Sequence, residues 1–565
     1  MGMKPVTPAP VICAPGPASH MKDCRMNPPP TGSLAETAEG KYTLSGRPVP
    51  PLARGLPKTV ESICPECARL LPARLYEHAD QVRMEKTCPD HGRFEDVYWG
   101  DARLYLKAEE FHYGDGEGVE NPGAPATSRC PEQCGLCGDH ASNTALGNID
   151  LTNRCNLRCP ICFASADAAG YVYEPTYEQV LGMLRTYRQM RPSPARAIQF
   201  SGGEPTLHPR FLDLLRAAKE SGFSHLQIAT NGLRLAREPD FAKQCEEAGL
   251  HDIYLQFDGL TDDVYTKTRG QALVAEKMKA VERIMATDMK IVLVPTIIRG
   301  INDHQVGDIV RFALERIGTI AGISFQPVAF TGRISTDERM AQRYTLTDLA
   351  HDVSRQTGIT KAHEDWYPLA CVQPFTRLVA AIRGQTNIVM SCHPHCSLGT
   401  YLFVGQDGRA VPLPQFFDLK GLLDDMWALA QKAEAGGVKL FQKAQAFLAL
   451  RRNWRQERAP AGMTFEGWLH TLNGMVDKSI GRGRAGKKTF RSLLVAGMHF
   501  MDRYNYETAR TRRCVIHYAA PDGRLYPFCT YNAGPTFRQA VEKKFAMTPE
   551  EYRARAKAAR KAAGG

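Results

Sequence analysis

Three cysteines spaced C-x3-C-x2-C, at Cys155, Cys159 and Cys162, constrain this chain more than any other stretch. A short apolar strand signal around Ile149 and Leu151 runs into a polar turn, and the cysteines follow it. Three thiolates on one short loop can hold three irons of a cubane cluster, because cysteine sulfur is the usual protein ligand of iron–sulfur centres. No fourth cysteine lies in the loop. One iron is then left open to a small molecule, which is how an open-site metal centre does chemistry. A structural zinc loop is the alternative, but zinc loops usually show paired C-x2-C units.

The other cysteines extend this reading. The chain has 17 of them, mostly in tight groups with metal-ligand spacing, which argues for a reducing compartment and bound metals. Cys64-x2-Cys67, followed by Cys88-x2-His91, flanks a short hairpin signal and has the form of a knuckle pair for one tetrahedral zinc or rubredoxin-type iron. His91 can equally be a turn residue. Cys130, Cys134 and Cys137 repeat the first spacing, and two such triads are simpler to explain as two iron–sulfur clusters than with zinc. Cys371, the pair Cys392 and Cys396, and Cys514 and Cys529 around a hairpin turning at Asp522-Gly523 can complete two sites. One is a fourth ligand for the Cys130 triad and the other a further cluster; spacing does not assign them. Cys245 sits in a helix signal and reads as packing, while Cys13 and Cys24 are incidental.

At 565 residues the chain suggests roughly three to four domains. We expect a disordered extension (1–56), a small metal-binding domain (57–125), a core preceded by the auxiliary triad (126–340), a helix-rich mixed region (341–535) and a solvated basic tail (536–565). Apolar residues make up 43% and charged residues 23%, as in soluble globular proteins. The net charge of +11 suits anionic substrates, acidic membranes or nucleic acid about equally and decides nothing alone. Neither a secretory pattern nor a run of about 18 apolar residues is present, so a cytoplasmic location is expected.

Between 148 and 330, strand and helix signals alternate six times. Strands are expected at 147–151, 197–200, 226–229, 253–257, 291–297 and 322–326, with helices such as 211–220 and 303–316 between them. The fold class is α/β: six repeats make a parallel sheet, most simply an incomplete (β/α)6 barrel whose chemistry gathers at the C-terminal strand ends. The cysteine loop falls at the first such end and Ser201-Gly202-Gly203-Glu204-Pro205 at the second. Thr230-Asn231, Gln256-Phe257-Asp258, Pro295-Thr296 and Gln326-Pro327 follow at the others. The glycines permit close backbone approach to a ligand, and Glu204 offers a carboxylate to an ammonium group. Two stretches, 427–450 and 492–501, are unusually apolar for surface helices and read as core, or as the wall of an apolar substrate site.

The cysteine loop and the Gly202–Pro205 turn resemble the radical SAM superfamily. That resemblance implies a [4Fe–4S] cluster on Cys155, Cys159 and Cys162 whose open iron chelates S-adenosylmethionine. Gly202, Gly203, Glu204, Pro205, Thr230, Asn231, Gln256 and Asp258 are then the cofactor-binding candidates, with Glu204 on the amino group. The reduced cluster would cleave the cofactor to a 5′-deoxyadenosyl radical that abstracts hydrogen from an unactivated carbon. More narrowly, the Cys64–His91 knuckle, the Cys130–Cys137 triad and the stretch from Met498 to Cys529 resemble the archaeal tetraether lipid synthase group. Its members have also been labelled dihydropterin methyltransferases. This likeness implies one or two auxiliary [4Fe–4S] clusters and one mononuclear iron or zinc. It further implies coupling of long lipid chains through a new carbon–carbon bond. The expected partners are a hydrophobic lipid substrate and a reductant such as ferredoxin or flavodoxin, with peripheral contact to the inner membrane face and no nucleic acid. Radical methyl transfer to a pterin-like acceptor and peptide modification are the alternatives.

Overall fold

The computed structural model describes residues 36–37, 40–41 and 51–562, except 126–129, 163–169, 331–334, 384–388, 437–438, 477–489 and 535–536. The expected N-terminal extension, with Cys13 and Cys24, lies almost wholly outside the described residues. Four antiparallel strands come first: β1 (Lys58–Ile63), β2 (Leu70–His78), β3 (Gln81–Cys88) and β4 (Gly92–Trp99). The β2–β3 connection is two residues, Ala79 and Asp80, both at positive φ, the twist that closes a tight hairpin. Helix α1 (Ala102–Glu110) follows, with Asp101 as its N-cap.

The expected six strands are all present: β5 (Leu146–Thr152), β6 (Ala197–Gly202), β7 (His225–Thr230), β8 (Asp252–Gln256), β9 (Lys290–Val294) and β10 (Ile320–Pro327). They pair in sequence order, all parallel. Along the first four, buried Ile, Leu and Phe facing the helices that cover the sheet from outside alternate with polar residues such as Asn148, Gln199, Gln227 and Gln256 that face the enclosed cavity. Among these helices are α2 (Tyr177–Gln189), α3 (Phe211–Glu220), α4 (Asp262–Arg269), α5 (Val274–Met285) and α6 (Val306–Glu315). Thr176 and Gln179 form a capping box on α2. Further along, α7 (Leu346–Thr357) packs against β11 (Ser397–Val404), which pairs with β12 (Ala410–Pro412), and α8 (Ala362–Asp365) packs against α7.

Two parallel strands beyond the expected six extend the sheet. One is β13 (Arg491–Met498), which pairs with β10; the other is β14 (Ile516–Ala519), which pairs with β5 and turns back into β15 (Leu525–Pro527). The stretch 492–501, expected to be an apolar helix, is therefore a strand as far as Met498. Its burial alternates, with Leu493, Val495 and Gly497 buried on the face toward the outer helices and Leu494, Ala496 and Met498 on the cavity wall, and a short apolar run does not by itself distinguish a buried strand from a helix. The hairpin expected between Cys514 and Cys529 is present as β14–β15. The apolar stretch 427–450 is helical as expected, in α9 (Leu419–Glu434) and α10 (Lys439–Arg452). It belongs to a second apolar core around Phe416, Phe417, Met426 and Trp468.

The last segment also departs from expectation. In α11 (Phe537–Phe545), Val541 and Glu542 are buried, and Arg538 reaches Asp150 on β5 and Asn532. Helix α12 (Pro549–Ala562) follows, and its Tyr552 lies under the Arg154 guanidinium of the cysteine loop. Helix α11 is thus anchored to the core by buried ion pairing, whereas the described side chains of α12 are mostly exposed. No helix among the described residues is long and apolar enough to cross a membrane.

Candidate active site

The cysteine loop leaves the C-terminal end of β5 and is wedged against the turn after β6. Gly202 has φ +128°, and a Cβ there would lie 2.3 Å from the Thr152 carbonyl oxygen; a Cβ on Gly203 would lie 2.3 Å from that of Arg154. The Gly203 and Glu204 amides donate to those same carbonyls at 2.7 and 2.9 Å. The two glycines line the cavity as expected, but what forbids a side chain at both positions is the cysteine loop itself.

Cys155, Cys159 and Cys162 are half-buried and line one cavity of about 1380 Å³. The Leu157 amide points at the Cys155 sulfur at 3.4 Å, and the Asn231 side-chain amide lies 3.9 Å from it. Burial pushes the Cys155 thiol up to about 12, helped by the negative charge of Glu204 and the other two thiols. Such a crowd of thiolates needs a bound cation to form near neutral pH, which is what a cluster provides.

Glu204 is where the structure sharpens the sequence reading. Its carboxylate is buried and accepts from the Thr206 amide and hydroxyl at 3.2 and 2.6 Å, the Thr230 hydroxyl at 2.8 Å and the Asn231 amide at 2.9 Å. It does not line the cavity; Thr230 and Asn231 do. Pro205 is buried at the start of the same short turn. Asp258 behaves likewise. Fully buried and off the cavity wall, it takes Arg269 in an ion pair and the Thr296 amide at 3.0 Å, while Gln256, which does line the cavity, donates to it. Both carboxylates therefore organise groups that face the cavity.

Two cationic groups at this site went unread in the sequence. Arg269 is held by Asp258, lines the cavity and neighbours Cys159. Lys277 is buried, donating to the Asn231 carbonyl at 2.6 Å and to Gln256 at 2.7 Å, and its burial lowers the ammonium pKa to about 7. A signal for Lys277 existed: it shares the apolar stripe of α5 with Ala280, Val281 and Ile284, where a lysine is out of place. The cavity floor is polar. Asn148, Gln199 and Gln227 form an amide chain, and Tyr254 donates to Ser324. The opposite wall, from Phe375, Val379, Phe403, Phe417, Met426 and Phe447, is apolar.

The second triad is built differently. Cys130, Cys134 and Cys137 are buried and do not line the cavity; Cys134 packs among Tyr518, Tyr526, Phe528 and Tyr531. The five later cysteines form one nest. Burial pushes the Cys392 thiol well up, with Cys396, Cys514 and Cys371 adding to it, and Cys529 neighbours both Cys514 and Cys396. Cys371 and Cys529 reach the cavity wall. In this region Asn143 Nδ2 and Oδ1, His393 Nε2, His395 Nδ1 and Arg510 Nε are buried without hydrogen-bond partners. Orphaned polar atoms beside converging thiols fit a bound inorganic cluster. In the N-terminal sheet the ligand atoms of Cys64, Cys67, Cys88 and His91 lie within 4.8 Å of one another, with His91 Nδ1 3.5 Å from the Cys88 sulfur. His91 thus joins the three thiols. Cys245 is fully buried in the core, as expected of a packing residue.

Residues 149–313 match the Radical SAM superfamily, and residues 56–100 match the HMPTM N-terminal zinc ribbon domain. The 7,8-dihydro-6-hydroxymethylpterin dimethyltransferase of Methanocaldococcus jannaschii is 39% identical over 501 residues, 88% of this chain and 97% of that protein. The GTP 3′,8-cyclase of Chlorobaculum tepidum is 32% identical over 225 residues, 38% of this chain and 64% of that protein. Among solved structures, Streptococcus suis SuiB bound to S-adenosylmethionine aligns over 38% of this chain and 48% of its own at 17% identity, with a TM-score of 0.32.

Proposed function

This chain belongs to the radical SAM superfamily and to the family of the archaeal 7,8-dihydro-6-hydroxymethylpterin dimethyltransferase, and from that premise we propose that it transfers a methyl group to a pterin-like acceptor. The cofactors of the superfamily are a [4Fe–4S] cluster and S-adenosylmethionine, and when bound they supply a carbon-centred radical able to take hydrogen from an unactivated carbon. Cys155, Cys159 and Cys162 hold that cluster. Arg269, its positive charge fixed by Asp258, would offer a counter-charge to the cofactor's carboxylate, and Thr230 and Asn231, ordered by Glu204, line the same cavity.

The observation that carries the reading is the cavity. Its volume of about 1380 Å³ exceeds the roughly 300–1,000 Å³ of a pocket for one drug-sized ligand, which leaves room for cofactor and substrate together. The amide floor of Asn148, Gln199 and Gln227 offers the donors and acceptors that the edge of a pterin needs. Cys130, Cys134 and Cys137 hold an auxiliary cluster, the nest of Cys371, Cys392, Cys396, Cys514 and Cys529 supplies its fourth ligand and those of a further cluster, and the Cys64–His91 site holds one zinc or iron.

Reduced, reconstituted enzyme given methyl-labelled S-adenosylmethionine and the dihydropterin is expected to release 5′-deoxyadenosine and label the pterin. If the cofactor is cleaved while the pterin never changes, this reading fails. A second reading, radical chemistry on a long-chain lipid, lacks support from the names of these relatives but is favoured by one feature, the apolar wall from Phe375 to Phe447. Lipid modified in the same assay, with the pterin untouched, would establish it.

A further inference from the structure

We propose that Asp101, His351 and His363 bind a zinc ion that fastens the N-terminal ribbon to the outer helices of the barrel. Asp101 stands where β4 ends and α1 begins. Its Oδ1 accepts from the Leu104 amide at 2.9 Å, which caps the helix and leaves Oδ2 for other partners. Onto that one oxygen converge His351 Nε2, from α7, at 2.8 Å and His363 Nε2, from α8, at 2.7 Å. All three ligand atoms lie within 4.8 Å of one another. Two imidazole nitrogens and one carboxylate oxygen are a three-ligand zinc set, with water in the fourth position.

The surroundings suit such an ion. A groove of about 520 Å³ lined by Glu77, Arg103, Lys107, Glu110 and His363 opens beside it and admits water. Lys107 also lines this groove, but its ammonium is turned onto the carbonyls of His363, Glu364 and Trp366 at 2.7, 3.2 and 3.0 Å. Burial raises the Asp101 carboxyl, yet hydrogen bonds from His351, the Leu104 amide and His363 outweigh it and keep the group ionised. Without a metal, the same trio needs a proton on both Nε2 atoms; zinc replaces the two protons with a single ion. Because Asp101 belongs to the ribbon's trailing turn and the histidines lie some 250 positions later, the ion would cross-link elements that no covalent bond joins.

The test uses the full-length, anaerobically purified protein. Zinc per chain is counted, and cobalt(II) is titrated as a spectroscopic substitute. Tetrahedral nitrogen and oxygen ligation gives visible d–d bands without the thiolate charge-transfer band that the ribbon cysteines produce. The wild type is expected to show both signals. His351→Ala, at a half-exposed ring, and Asp101→Asn, which keeps the helix cap, are each expected to lose one equivalent of zinc and the sulfur-free bands, with circular dichroism unchanged. Added zinc should raise the melting temperature of the wild type by more than that of His351→Ala, which keeps only the ribbon site. Equal zinc content and identical cobalt spectra in wild type and both variants would overturn the proposal, as would a wild type that binds cobalt only with thiolate charge transfer.

Discussion

The two C-x3-C-x2-C triads share a spacing and almost nothing else. Cys155, Cys159 and Cys162 sit half-buried at the end of a parallel strand and face a large cavity; Cys130, Cys134 and Cys137 are buried and do not line it, with Cys134 packed among aromatic rings. The first loop is pinned by two glycines and overlooked by a buried, carboxylate-held arginine. The second has Arg512 as its charged neighbour and no such turn. Spacing decides that three thiolates can gather, whereas the surroundings decide whether a small molecule can reach the iron they hold.

The largest test of this difference is to remove one ligand from each triad. Changing a group that merely supports a metal ligand costs about 10–100-fold, so losing a ligand costs more. Cys159→Ala is expected to abolish 5′-deoxyadenosine formation and lower bound iron while the Cys64 site stays metallated. Cys134→Ala should lower bound iron by a similar amount yet leave cofactor cleavage measurable. Equal loss of cleavage in both variants would erase the distinction.

The glycines come next. Gly203→Ala places a methyl group into the Arg154 carbonyl and should displace the loop, with loss of the cluster absorbance near the charge-transfer region of iron–sulfur proteins. At Gly135, in the other triad, a Cβ meets Ala124 and the flexible Arg524 side chain at 3.2 Å, so Gly135→Ala should cost no more than about 1 kcal/mol by thermal melting.

Asp258→Ala strands the buried Arg269 guanidinium without its partner. A loss of about 3–5 kcal/mol of stability is expected, together with weaker S-adenosylmethionine binding by calorimetry. Full retention of cofactor affinity would show that Arg269 does not serve the cavity.

The smallest effect is one of pH. In iron-free protein, burial pushes the Cys155 and Cys130 thiols up to about 12, whereas the unfolded chain releases such protons near pH 8.5. Above about pH 8.5 the unfolded state then binds fewer protons than the native one, so stability should fall as pH rises toward 12. Cys155, open to the cavity, should be alkylated with a rate rising about tenfold per pH unit, while Cys130 stays protected. Mass spectrometry of alkylated peptides and melts across the pH range check both.

Much of this molecule was legible before folding. Strict βα alternation reports burial on both faces of a parallel sheet, so all six barrel strands could be placed. Local ligand spacing reports what a short loop can gather, which covered the cysteine loop and the ribbon's Cys64, Cys67, Cys88 and His91. What stayed hidden was non-local. Ser492–Met498 carries a short apolar run whose partner strand, β10, lies some 170 residues earlier, so its conformation is set by pairing and not by propensity. Glu204 and Asp258 were correctly singled out, but only packing shows that their charges are spent on Thr206, Thr230, Asn231 and Arg269.

The opening triad follows the same division. Residue identity and spacing alone determined that Cys155, Cys159 and Cys162 can share a metal cluster, because ligand chemistry is local to a few residues. Tertiary structure decided that this triad, and not Cys130–Cys137, opens onto a cavity, and that Arg269 and Lys277 flank it. Access and electrostatic surroundings are made by chain segments that meet only in the folded protein.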